Sequence, residues 1–252
     1  MLPTIHLGPV TLQTFGICFA VAFISAGALV WKRFGEIGKP VDWAYEMGFA
    51  ALVGGLVGSR LDFIIENYSD VKHDLLGNIF SGSGLVWYGG VIGGAIGVFI
   101  WAWWRGFLTL ALLDVAAPAL ALGYAIGRCG CQLSGDGDYG KAWNGPWAMA
   151  YPDGTVSTTA EVHPTPIYES LAMGLVALVL WRLRGRLVAG AVFALYLVAA
   201  GVERLLIEFI RRNDDVALGL TLAQLVSVAM IAIGAAWLTQ IRGDLVQTRQ
   251  AG

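Results

Sequence analysis

The sequence predicts an all-α, polytopic membrane protein of seven transmembrane helices, its amino terminus outside and its carboxyl terminus in the cytoplasm. Three observations carry that expectation. Hydrophobic residues make up 57% of the 252 residues and charged residues only 13%, more apolar surface than a water-soluble domain of this size can bury. Apolar runs long enough to cross a bilayer, about 20 residues each, recur along the chain. The Lys and Arg residues divide unequally between alternate connections, as the positive-inside bias requires.

The runs cover residues 10–30, 43–65, 85–104, 108–126, 166–181, 189–210 and 220–238. No Lys or Arg precedes the first in MLPTIHLGPV, unlike the start of a cleavable signal, so this segment is expected to be retained. The second and third runs carry Gly54, Gly55 and Gly58, then Gly89, Gly90, Gly93, Gly94 and Gly97; small residues spaced in this way let two helix backbones approach closely, and packing is the first role expected of them. Asp114 in the fourth run lies four residues before Pro118, where it can serve backbone groups that the proline frees. Together the runs make one transmembrane domain over 1–252, with extracytoplasmic caps at 67–84 and 129–163.

Orientation follows from charge. Lys32, Arg33, Lys39, Arg105, Arg182, Arg184, Arg186, Arg242 and Arg249 fall on one set of connections, and only Lys72, Lys141, Arg211 and Arg212 on the other. The richer set belongs in the cytoplasm. Three arginines remain, Arg60, Arg128 and Arg204, all within or at the outer ends of apolar runs. Guanidinium groups are costly there unless they reach a headgroup or an anion, and three at similar depth suit a phosphate or carboxylate ligand. The alternative is local pairing, for which Arg204 and Glu208 have the right i, i+4 spacing. Arg128 opens GRCGCQLSGDGDYG, where the apolar run is expected to break into a glycine-rich turn whose free N–H groups could also face an anion; its other reading is an arginine that anchors a helix end.

The long outward connections are rich in Gly, Asp, Ser, Trp and Tyr, and Trp143, Trp147 and Tyr151 suggest an ordered cap lying at the interface. HPTPIYES leads from the second cap into the fifth helix. His163 could act as a general base at neutral pH or hydrogen-bond the loop end ahead of Pro164. Glu169 lies about a turn into the membrane and needs a partner, for which Arg128 and Arg204 are the candidates. No basic run suggests nucleic acid, no His/Cys cluster has zinc spacing, and neither metal nor cofactor is expected. Cys18, Cys129 and Cys131 make no disulfide framework and are expected as free thiols.

Five stretches also resemble the prolipoprotein diacylglyceryl transferase family, in that family's order and over nearly the whole chain: GGLVGSRLDF, GLVWYGGVIGG, GRCGCQLSGDGDYG, HPTPIYES and GVERLLIEFIRRND. The resemblance implies an enzyme of the bacterial inner membrane whose site opens to the outer leaflet. It would take phosphatidylglycerol from the surrounding membrane lipid and transfer the diacylglyceryl group to the lipobox cysteine of a prolipoprotein signal peptide, leaving glycerol 1-phosphate. Carried over, Arg128 and Arg204 hold the headgroup phosphate and Glu208 orients Arg204. Arg60, Gly89, Gly90, Cys131, Ser134, Asp136, Gly140, Tyr168, Glu169 and Arg211 would line the substrate site.

Two departures bear on the chemistry. Tyr88 stands where the family usually has histidine, and Cys131 where it has asparagine. A phenol of pKa about 10 is a poor base at neutral pH, so His163 or Glu169 would have to take the thiol's proton. Another acceptor for the same donor, or a non-catalytic lipid-binding or transport protein, are the competing readings.

Overall fold

The computed structural model describes residues 1–68, 86–213, 216 and 219–241. Apart from Asn67 and Tyr68, the cap expected over 67–84 lies outside the described residues, as do Lys72, Arg242 and Arg249. The chain forms two compact units, one of Trp31–Leu112 and the other of Met1–Val30 with Leu113–Gly252.

The Trp31–Leu112 unit is built on α2 (Trp43–Glu66) and α3 (Trp87–Trp104). Their glycines bring backbone against backbone. A Cβ placed on Gly58 would come within 2.3 Å of the Gly89 carbonyl oxygen, and one on Gly54 within 2.3 Å of that of Gly93, so a methyl group at either position would push the helices apart. Ser59 Oγ donates to the Val86 carbonyl at 2.7 Å, and Asp62 Oδ2 accepts from the Gly89 N–H at 2.8 Å. Elsewhere in the unit Phe34, Trp43, Trp101 and Phe107 pack ring against ring, and Glu46 accepts from Trp101 Nε1 at 2.8 Å and Arg105 Nε at 2.7 Å.

The other unit opens with a hairpin of β1 (Thr4–Leu7) and β2 (Val10–Gln13), turning at Gly8 with φ +62°. Helix α1 (Thr14–Glu36) therefore starts four residues later than the apolar pattern predicts, because the Gly8–Pro9 turn folds the first strand back on Val10–Gln13 instead of starting a helix there. Helix α4 (Leu110–Ser134) is followed by a second hairpin, β3 (Met149–Tyr151) with β4 (Thr158–Val162), and then by α5 (Thr165–Leu183), α6 (Ala191–Glu208) and α7 (Leu222–Gln240). The all-α expectation thus needs amending by two short hairpins. Ala117, Ala121 and Ala125 of α4 pack with Met173, Ala177 and Leu180 of α5 and Val192 and Ala200 of α6, small side chains that permit close helix contact. Asp114 accepts from the N–H groups of Gly190 at 2.6 Å and Phe193 at 2.9 Å. It caps the first turn of α6, where free N–H groups and the helix dipole favour a carboxylate.

Among the described residues five helices, α1, α2, α4, α5 and α7, are long and apolar enough to cross a membrane, as a multi-pass membrane protein requires. The apolar stretch of α3 is shorter, and α6 carries Glu203, Arg204 and Glu208 within its 18 residues.

Candidate functional site

Helix α4 does not break after Arg128. It continues through Gly130 to Ser134, because N–H groups released into apolar surroundings would lack partners; the expected glycine-rich turn begins instead at Gly135 and Gly137, both at positive φ. Gly130 is used for approach, since a Cβ there would lie 2.9 Å from Cys18 Cβ on α1. The extra turns place Tyr124, Arg128 and Cys131 on one helix face. Arg128 Nη2 donates to the Tyr124 hydroxyl at 3.1 Å, and its guanidinium lies over that ring at 4.9 Å.

Around this arginine the unit gathers a cluster of alternating charge. Glu169 of α5 is completely buried, with Arg128 Nε at 2.7 Å from its Oε2 and Arg204 Nη1 of α6 at 3.3 Å from its Oε1. Arg211, just beyond α6, reaches the same Oε1 at 3.7 Å and Asp138 Oδ1 at 2.6 Å. Asp138 also pairs with Arg128. Arg204 Nη2 lies 2.8 Å from Glu208 Oε2, and Glu208 Oε1 accepts from Asn213 Nδ2 and Thr221 Oγ1, both at 2.7 Å. The partner of Glu169 is thus neither Arg128 nor Arg204 alone; three guanidiniums converge on it. Burial costs such charges several kcal/mol each unless they are paired, and here Arg128, Arg204 and Arg211 offset Asp138, Glu169 and Glu208. The arginines are thus paired locally, as the i, i+4 spacing of Arg204 and Glu208 allows, and three of them converge on one carboxylate.

The loops that deliver Asp138 and Arg211 are laced by backbone. Gly140 N–H donates to the His163 carbonyl at 2.9 Å, Lys141 N–H to that of Ile210 at 2.8 Å, and Thr165 Oγ1 to that of Asp138 at 2.6 Å. A Cβ on Gly140 would come within 2.6 Å of the Ile210 oxygen, so only glycine fits this crossing. Burial tends to raise the Asp138 carboxyl, but Arg128 and Arg211 hold it below the ordinary carboxylate value. Burial opposes the charge of Arg211, which Asp138 and Glu169 reinforce. Asp136, carried over from the sequence motif, accepts the Asp138 N–H at 3.3 Å and is not itself in these ion pairs.

The remaining expected residues fall into three groups. His163 stacks on Trp143 at 4.4 Å, and its Nδ1 lies 3.4 Å from the Tyr168 hydroxyl, which accepts from Trp147 Nε1 at 2.8 Å. Tyr168 and Trp147 also line an apolar cavity of about 450 Å³ with Met149, Pro164, Ile167 and Leu171. Tyr151 is fully buried, stacked on Tyr139, and bonded to Gln132 at 2.9 Å, and burial pushes its phenol up to about 12. Cys131 and Ser134 are buried, Arg128 Nη1 lies 3.7 Å from Cys131 Sγ, Ser134 Oγ donates to the Cys131 carbonyl at 3.3 Å, and Cys18, Cys129 and Cys131 are free thiols. Cys131, Asp136 and Asp138 bring ligand atoms within 4.8 Å of one another, but Asp138 is already engaged by two guanidiniums. Arg60, Tyr88, Gly89 and Gly90 belong to the Trp31–Leu112 unit, where Arg60 is buried over the Phe63 ring at 5.6 Å, Tyr88 is 42% exposed, and both glycines face α2.

Sequence reasoning missed Asp138, Tyr124, Thr221, Asn213 and Glu203. For Asp138 the signal was the second acid of GDGDYG, and for Glu203 a carboxylate directly before Arg204 inside an apolar run.

A family model described as prolipoprotein diacylglyceryl transferase matches residues 3–240. The chain is similar to proteins named phosphatidylglycerol–prolipoprotein diacylglyceryl transferase from three bacteria. The protein of Clostridium tetani is 32% identical over 226 residues, covering 87% of this chain and 89% of that one. That of Dehalococcoides mccartyi (strain 195) is 35% identical over 239 residues, with 90% and 88% covered. That of Methylobacillus flagellatus is 30% identical over 250 residues, with 93% of each covered.

Proposed function

The chain belongs to the prolipoprotein diacylglyceryl transferase family, and from that premise we propose that it transfers the diacylglyceryl group of phosphatidylglycerol to the thiol of a prolipoprotein's lipobox cysteine, releasing glycerol 1-phosphate. The observation that carries the reading is the buried cluster in which Arg128, Arg204 and Arg211 converge on Glu169.

The chemistry asks for such a cluster. Thiolate sulfur attacks the diacylglycerol carbon bound to phosphate, the C–O bond breaks, and its electron pair stays on the phosphate oxygen. The phosphate passes from a diester with one negative charge to a monoester with a second charge developing. Fixed guanidinium donors stabilise that growing charge, and one such donor is worth about 10²–10³-fold in rate. In this reading Arg128 and Arg204 hold the phosphate. Glu169 and Glu208 keep their guanidiniums in place before lipid arrives, so little reorganisation remains for the reacting state. Arg211 closes the set through Asp138, and Tyr168 lines the approach. The incoming phosphate shares donors with the carboxylates, which suits a ligand that must also leave.

The setting proposed is the bacterial inner membrane, crossed seven times, with the amino terminus outside and the arginine cluster at the outer leaflet. The charge distribution of the connections supports this orientation.

Reconstitution of the purified protein in phosphatidylglycerol liposomes with a lipobox peptide tests the reading. The expected result is stoichiometric release of glycerol 1-phosphate and a diacylglyceryl mass shift on the peptide cysteine. Release without the shift would replace the acceptor, and lipid binding with neither signal would replace the enzyme by a binding protein.

A further inference from the structure

The reaction requires a proton to leave the incoming thiol, and the position at which the family usually carries histidine holds Tyr88. The arginine cluster contains carboxylates, but most are committed. Asp138 is held by Arg128 and Arg211, Glu169 by three guanidiniums, and Glu208 by Arg204, Asn213 and Thr221. Protonating any of these would break the contacts that keep the guanidiniums in position. His163 is braced between the Trp143 ring and the Tyr168 hydroxyl.

One carboxylate of the neighbourhood is uncommitted. Among the described residues, the carboxylate oxygens that are buried without a hydrogen-bond partner are Glu169 Oε2, Glu203 Oε1 and Glu208 Oε2. The first and third are in ion pairs, with Arg128 at 2.7 Å and Arg204 at 2.8 Å. Glu203 has no ion pair among the described residues. It precedes Arg204 on α6, within electrostatic reach of Arg128 on α4, Glu169 on α5, Arg204 and Arg211, and of Tyr124 on α4 and Tyr196 on its own helix. A buried carboxylate oxygen without a hydrogen-bond partner is costly while it is ionised, a cost that protonation relieves without disturbing a single guanidinium contact.

We propose that Glu203 is a catalytic residue, the acceptor of the proton from the incoming cysteine thiol. The inference rests on the transferase reading above. In the step, the S–H bond gives its proton to the Glu203 carboxylate and its electron pair stays on sulfur. That pair forms the S–C bond as the C–O bond to phosphate breaks, with the electrons of the latter kept by the leaving glycerol phosphate. The proton then passes from Glu203 to the departing phosphate monoester, whose second ionisation lies near pH 6, or to water, which resets the carboxylate.

The test compares wild type, Glu203→Gln and Glu203→Asp in phosphatidylglycerol liposomes, using one lipobox peptide with cysteine and another with selenocysteine, whose selenol is ionised at neutral pH. Wild type must turn over both, and an inactive wild type would remove the transferase reading itself. With the cysteine peptide, Glu203→Gln is expected to lose about 10²–10⁴-fold in kcat at unchanged KM for phosphatidylglycerol. Its rate should climb with pH toward the thiol's own ionisation, near 8.5, where wild type is already flat. Glu203→Asp should keep part of the rate. The selenocysteine peptide should restore Glu203→Gln to within a few-fold of wild type, which a merely structural loss would not do. Unchanged cysteine turnover and pH profile in Glu203→Gln would overturn the proposal, as would an equal loss with both peptides. Should Glu203→Gln not fold, the Glu203→Asp pH profile decides: a profile identical to wild type overturns the proposal, and a shifted one supports it.

Discussion

The two units solve the problem of packing helices in an apolar medium in opposite ways. In the Trp31–Leu112 unit, α2 and α3 meet through Gly54, Gly58, Gly89, Gly93 and Gly97, backbone on backbone, with the Asp62 carboxylate accepting from the Gly89 N–H at one point of the seam. In the other unit, α4, α5 and α6 meet through alanines along one stretch and through guanidiniums and carboxylates beyond it. A glycine seam holds by closeness and offers no chemistry of its own. A charged cluster gains little in net stability, because desolvation consumes most of the Coulomb attraction, so stability alone does not account for it.

Breaking the charged side should cost activity first. Arg128→Ala and Arg204→Ala are each expected to lower glycerol phosphate release in liposomes by about 10³-fold or more, since each removes a phosphate donor and leaves Glu169 with one partner fewer; turnover near wild type in either would dissolve the contrast. Breaking the seam should cost stability. Gly58→Ala places a methyl group 2.3 Å from the Gly89 carbonyl oxygen and 2.7 Å from Gly93 Cα, and thermal unfolding in detergent should show a loss of about 1–3 kcal/mol. Gly90→Ala, whose methyl would meet Ser59 Cβ at an ordinary 3.6 Å, should change stability by under about 0.5 kcal/mol. Equal effects at the two glycines would mean that closeness is not what holds the pair.

The smallest expected effect is acid sensitivity. The folded protein holds Asp138 below its ordinary value, so this carboxyl contributes stability that is fully present above about pH 4–5 and lost as pH falls through the lowered value. Asp138→Asn should flatten the acid-side decline of the unfolding midpoint. An unchanged slope would place the acid sensitivity in another carboxylate.

Much of this organisation can be read from residues alone. The runs near 43–65, 166–181 and 220–238 lie within about two residues of α2, α5 and α7, because long apolar stretches ended by polar residues leave a helix few alternatives. The glycine faces announce their packing by spacing, and the i, i+4 interval announces Arg204 with Glu208. What stayed hidden depends on contacts far apart in sequence. The continuation of α4 past Arg128 was obscured by glycines that look like a turn, and are instead sites of close approach at Gly130 and of positive φ only from Gly135. The pairing of Asp138 with Arg128 and Arg211 depends on backbone bonds between Gly140, His163, Lys141 and Ile210, for which the sequence carries no periodic sign. Short hairpins such as TIHL–VTLQ are hard to separate from the start of an apolar helix, because both present the same residue types at that length.

The central claim is that the Glu169-centred cluster binds the phosphate of the lipid headgroup. Its most direct test is equilibrium binding of glycerol 1-phosphate, measured by calorimetry, to folded wild type, Arg128→Gln and Arg204→Gln. Each lost charge-assisted hydrogen bond is worth about 1.5–3 kcal/mol, so each variant should bind at least about tenfold more weakly than wild type. Folded variants that bind the phosphate as tightly as wild type would contradict the account.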